Sequence, residues 1–80
     1  MASTPRVVVF TAERCHLCER ALEVVREVCG KDFEAVDIAG DADLEARYRE
    51  SLPVVEVDGE HAFTYFVSAD SLRERLDRAG

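Results

Sequence analysis

The 80-residue chain has little positive charge to offer a polyanion: 10 Lys and Arg stand against 17 Asp and Glu, for a formal net charge of −7. Nucleic acids and anionic membranes are held by clustered Lys and Arg, and no such cluster occurs here, while aromatic residues make up only 8%. Long apolar runs are missing as well. The stretch Val7 to Phe10 is too short to span a bilayer or to form the core of a signal peptide, and the residues after it turn polar at once. No low-complexity tract or internal repeat interrupts a composition of 48% hydrophobic and 34% charged residues, which is that of a folded soluble domain. This length makes one domain, residues 1–80, with a single small core and no room for a separate substrate domain. The cytoplasm is the expected compartment, with neither nucleic acid nor membrane as partner.

Cysteine and histidine are scarce too, and the scarcity bears on metal binding. A tetrahedral structural zinc site takes four N or S ligands. Three Cys and two His are available, and Cys29 and His61 lie far along the chain from the other cysteines. No metal site is expected.

What the chain does have is a cysteine pair three residues apart, in Thr11-Ala12-Glu13-Arg14-Cys15-His16-Leu17-Cys18, where a Val-rich strand passes into an amphipathic helix. A thiol at a helix N-terminus lies among N–H groups without intrahelical partners and at the positive end of the dipole, so its thiolate is stabilised. Cys15 is the candidate nucleophile. Cys18, one turn further on, can attack a mixed disulfide formed at Cys15 and release reduced product. The competing readings are a chance pair of buried thiols, a structural disulfide and half of a zinc site. In a reducing compartment a Cys pair is better read as catalytic or metal-binding than as a permanent staple. Cys29 shares a helical stripe with Cys18, Leu22 and Val25, which favours a buried inert thiol.

Met1 to Pro5 reads as a loose leader, and Arg6 to Phe10 as a central strand covered on both faces, since its apolar residues do not alternate. From His16 to Cys29, Leu17, Ala21, Val24, Val25 and Val28 recur at helical spacing, with Gly30 as the stop. Phe33 to Ile38 reads as a second strand. Asp41 or Asp43 then caps a short helix carrying Leu44 and Tyr48, which Ser51-Leu52-Pro53 ends. Val54 to Val57, Asp58-Gly59 and Glu60 to Phe66 form a hairpin, because Asp-Gly suits a primed turn. Ser68 caps a last helix with Ala69, Leu72, Leu76 and Ala79 facing inward. The order is βαβαββα, with a parallel, right-handed βαβ unit at its start and an α/β/α sandwich as the result.

That order, with Cys15-His16-Leu17-Cys18 after the first strand, Leu52-Pro53-Val54 opening the third and Asp58-Gly59 in the hairpin, resembles the glutaredoxin branch of the thioredoxin superfamily over essentially the whole chain. Short bacterial glutaredoxin-like proteins are the nearest likeness. The resemblance implies an α/β thioredoxin fold, a four-stranded mixed sheet with helices on both faces. It also implies a cis peptide before Pro53 facing the Cys pair, and a Leu52 backbone that pairs with an extended substrate. Without the motif, a trans proline that merely opens a strand is the default.

Two departures shape the expectation. Glutaredoxins place a proline and an aromatic between the cysteines, where His16 and Leu17 stand. Their Gly-Gly-x-Asp-Asp segment, which holds the glutamyl end of glutathione, is here Val67-Ser68-Ala69-Asp70-Ser71, with only Asp70 matching. Glutathione is expected to be at most a weak co-substrate. A protonated His16 beside Cys15 favours the thiolate; the alternative is a solvated first-turn residue offset by Glu13 and Glu19. Arg14 suits either the thiolate or a substrate carboxylate, though nine arginines make any one of them weak evidence. His61 is expected at the surface without a role.

The reading is a monomeric dithiol oxidoreductase without an organic cofactor. Its partners are a disulfide-containing protein or small molecule and a separate reductant. The alternatives are a dimer holding an iron–sulfur or metal cargo on the same cysteines and a redox-inert adaptor.

Overall fold

The computed structural model describes residues 5–79. The elements run β1 (Val7–Thr11), α1 (His16–Cys29), β2 (Glu34–Asp37), α2 (Ala42–Tyr48), β3 (Val54–Val57), β4 (Glu60–Thr64) and α3 (Ala69–Ala79), in the βαβαββα order read from the sequence. Of the expected leader, residues 1–4 lie outside the described residues, and Pro5 is half-buried. The side chain of Ala79, expected to face inward, also lies outside them.

Strand order in the sheet is β2-β1-β3-β4. β1 pairs parallel with β2 and antiparallel with β3, and β3 pairs antiparallel with β4, so the sheet is mixed and β1 is internal. Successive side chains of a strand point to opposite faces, and β1 therefore feeds two cores. Val7 and Val9 join Val25 of α1, Val55, Val57 and Leu72 of α3 in a dry cluster. Each such side chain, fully buried, is worth about 1.5–3 kcal/mol against exposure. On the other face Phe10 joins Ile38 and Val54, and Leu44 and Tyr48 of α2 pack onto them, with the Tyr48 and Phe10 rings stacked 4.5 Å apart.

Local chemistry sets the element ends. Asp41 caps α2 by accepting from the Leu44 N–H at 3.1 Å, and Gly30, at φ 63°, closes α1 by donating its N–H to the Arg26 carbonyl at 2.8 Å. The hairpin turn places Asp58 and Gly59 at φ 53° and 82°, as a primed turn requires. β4 stops at Thr64, two residues short of the expected Phe66. The β3–β4 pairing carries a bulge: Val55 faces Phe63 but Glu56 faces His61, leaving Ala62 unpaired on β4.

Candidate active site: a helix-capping dithiol

Cys15 is the N-cap of α1, with extended backbone at φ −111° and ψ 104°. Its Sγ accepts a hydrogen bond from the Cys18 N–H at 3.2 Å, and its carbonyl accepts from the Glu19 N–H at 3.1 Å. The sulfur thus occupies the place that a Ser or Asp oxygen fills at other helix starts, where an orphan N–H and the helix dipole both favour negative charge. Cys15 and Cys18 are joined as a disulfide across a Cα separation of 5.1 Å, within the ordinary range for the bond. Their exposures differ in the direction their roles need. Cys18 is 1% exposed, whereas Cys15 is only half-buried, so a substrate sulfur can reach Cys15 and not Cys18.

Three loops meet at this end of the sheet. The β1–β3 register pairs Phe10 with Val54 and, continued, sets Pro53 and Leu52 opposite Thr11 and Ala12, just ahead of the Cys loop. Leu52 and Ala12 both pack against the Phe10 cluster. The Leu52-Pro53 peptide is cis, as the resemblance implies, and Pro53 is buried. Among the described residues, neither the N–H nor the C=O of Leu52 takes part in the hydrogen bonds of the sheet or its loops. Val54 pairs in turn with Thr64, which brings Tyr65, Phe66 and Val67 to the same end. A groove of about 330 Å³ runs between Leu17, Arg20 and Val24 of α1 and Tyr65 to Val67. Leu17 and Val24, expected in the core, instead line this groove half-buried. The buried α1 side chains are Cys18, Ala21 and Val25.

The other candidates surround the pair without touching its sulfurs. Arg14 is exposed and left-handed at φ 60°, immediately before the cap. The His16 side chain is 98% exposed, and its Nδ1 lies 3.6 Å from a Glu19 carboxylate oxygen. This is the arrangement of the solvated reading, not of a group bonded to Cys15. Asp70, in the first turn of α3, is 3.6 Å from Arg73. Ser68 caps α3, its hydroxyl accepting from the Ser71 N–H at 3.1 Å, and Val67 packs half-buried against the main core. His61 is exposed and bonds Thr64. Cys29 is a free thiol, half-buried at the far end of α1. Burial, and then the Asp32 carboxylate, push its pKa above the ordinary 9.0. Among the described residues no group of three or more His, Cys, Asp or Glu side chains gathers as a metal site, and no helix is long and apolar enough to cross a membrane.

Tyr65 is the residue that sequence reasoning missed. It holds φ 67°, a left-handed conformation that costs a non-glycine residue on the order of 1 kcal/mol. No composition signal marks it, because turns of this kind are read from Gly or Asn.

A dithiol capping the first helix, beside a cis-proline loop on a β2-β1-β3-β4 mixed sheet, defines a thioredoxin-fold protein of the redox-thiol class. The chain belongs to the Glutaredoxin-like domain (DUF836) family, whose model matches residues 6–77. It is 30% identical to the protein XcR50 of X. campestris, with a TM-score of 0.80 over 92% of this chain and 99% of that one. Protein Ne2328 of Nitrosomonas europaea is 26% identical, with a TM-score of 0.72 over 95% of each chain. Glutaredoxin 1 of Francisella tularensis, 20% identical, shares the fold at a TM-score of 0.62 over 94% of this chain and 95% of that one. No curated protein matches.

Proposed function

We propose that the protein is a cytoplasmic, monomeric thiol–disulfide oxidoreductase that reduces disulfides of proteins or small molecules. The observation that carries this reading is the inequality of the pair. Cys15 is half-exposed and its sulfur caps the helix, while Cys18 is buried directly behind it. In the reduced protein the Cys15 thiolate attacks one sulfur of the substrate disulfide. The substrate S–S bond breaks, its other sulfur leaves as a thiolate that takes up a proton, and a Cys15 mixed disulfide remains. Cys18 then loses its proton and attacks the Cys15 Sγ. The second substrate thiol departs, and the Cys15–Cys18 bond forms. Two electrons pass from the protein dithiol to the substrate disulfide, and a thiol reductant returns the protein to its starting state.

Leu52, with its unpaired backbone groups, is the edge on which an extended substrate segment docks, and Arg14 and His16 flank the approach to Cys15. Glutathione is a weak co-substrate in this reading. Its glutamyl carboxylate needs N–H donors and small residues at a helix start, whereas Val67 is committed to the core and the Ser68 hydroxyl to the Ser71 N–H. The test is a Cys18→Ser variant incubated with cell extract. Mixed disulfides through Cys15 that dithiothreitol releases support the exchange reaction, and their absence alongside a reactive Cys15 would sink it.

A further inference from the structure

Tyr65 combines three features that ordinary packing does not require. It is a bulky residue held at φ 67°, it is 44% exposed, and it nevertheless bonds the neighbouring loop twice. Its N–H donates to the Pro53 carbonyl at 2.9 Å, and its hydroxyl donates to the Glu50 carbonyl at 2.8 Å. A phenol this exposed has water available as a partner, so burial does not force the second bond. The left-handed backbone gives the two bonds their geometry. The next N–H, of Phe66, returns to the Thr64 carbonyl at 2.8 Å, so the chain reverses tightly about Tyr65. Strain of this kind persists where the surroundings over-determine it, and it clusters at functional sites.

The two accepting carbonyls bracket Ser51 and Leu52. Ser51 is itself tied back, its N–H donating to the Tyr48 carbonyl at 2.9 Å. Of residues 50–53, Leu52 alone makes no hydrogen bond through either of its backbone groups. We infer that Tyr65 is a positioning residue that clamps residues 50–53 from both sides and so holds the unpaired Leu52 backbone as a rigid docking edge for extended peptide disulfides. The inference rests on the oxidoreductase reading of Cys15 and Cys18 and adds a source of substrate selectivity. A peptide long enough to bond the Leu52 backbone depends on the clamp. A disulfide with no peptide groups does not.

The experiment compares reduced wild-type protein with Tyr65→Phe in single-turnover exchange with two probes, a disulfide-bonded peptide and 2-hydroxyethyl disulfide. Tyr65→Phe keeps the ring and the Pro53 bond and removes only the bond to Glu50. The peptide rate should fall about fivefold more than the 2-hydroxyethyl disulfide rate, the effect of one ordinary hydrogen bond, and the fall should lie in the concentration dependence and not in the rate at saturation. Backbone ¹⁵N relaxation should show greater mobility at Ser51 and Leu52 in the variant. Equal loss with both probes, or a looser loop with no change in peptide selectivity, would show Tyr65 to be merely structural and overturn the inference. If wild-type protein exchanges with neither probe while Cys15 still alkylates, it is the oxidoreductase reading that fails.

Discussion

The two ends of α1 carry the same functional group in opposite physical settings. At the N-terminus the Cys15 sulfur accepts from the Cys18 N–H, which has no intrahelical partner, and lies at the positive end of the helix, half-open to solvent. About three turns beyond Cys18, Cys29 occupies the negative end, packed against the main core with Asp32 nearby, and its thiol form is favoured. A single 14-residue helix thus separates a sulfur arranged for chemistry from one arranged for packing. Residue type says nothing of the difference; position on the helix decides it.

The comparison breaks most visibly at Cys15 itself. Cys15→Ser should abolish disulfide exchange, because a hydroxyl can neither ionise at neutral pH nor form the mixed disulfide, whereas Cys29→Ser should retain it. Measured turnover of a peptide disulfide decides, and equal loss in both variants would erase the distinction. Next in size is labelling selectivity. In reduced protein at mildly acidic pH, iodoacetamide should modify Cys15 at least about tenfold faster than Cys29, since the thiolate is the reacting species. Peptide mapping after short exposure reads the ratio, and comparable labelling would contradict the helix-end argument.

A smaller effect is expected in alkaline stability. The Cys29 thiol ionises at higher pH in the folded chain than its ordinary 9.0, so the unfolded chain loses this proton first. The contribution is fully present below that value and is lost as pH rises through 9.0 and then through the folded value. Urea midpoints of the oxidised protein should therefore fall more between pH 8 and pH 10 than those of Cys29→Ser. Tyr48, raised by burial and then by its bond to Glu56, falls on both proteins alike, so the difference between them isolates Cys29. Parallel slopes would remove the case for a perturbed thiol. Smallest of all is the effect of the exposed His16 and Glu19 pair, which solvent and salt screen. Glu19→Gln should change the exchange rate less than about twofold, and a larger change would reveal that this pair tunes Cys15.

Features with a local chemical cause are legible in the sequence. The span of α1, the Asp-Gly turn, the Asp41 and Ser68 caps and the placement of the Cys pair all follow from residues acting on their near neighbours. The cis peptide before Pro53 is legible only through the resemblance. What escapes is set across the sheet. β4 ends at Thr64 because its neighbour Val54 is the first residue of β3 and the chain then reverses at Tyr65. Leu17 and Val24 have core spacing, but the last loop, opposite them, leaves a groove and not a packed face. The Tyr65 conformation depends on carbonyls 12 and 15 residues earlier, and no local pattern encodes it.

The strand order has a consequence for how copies of this chain meet. Its open margins are β2, only four residues long and bearing Glu34 and Asp37 exposed to water, and β4, distorted at Ala62. A short charged margin gives little length to pair along and a bulged one offers a broken row of donors, two of the devices by which sheets avoid growing into fibrils. A molecule proposed to form transient disulfides with other chains is in this way kept from acquiring permanent contacts with its own copies.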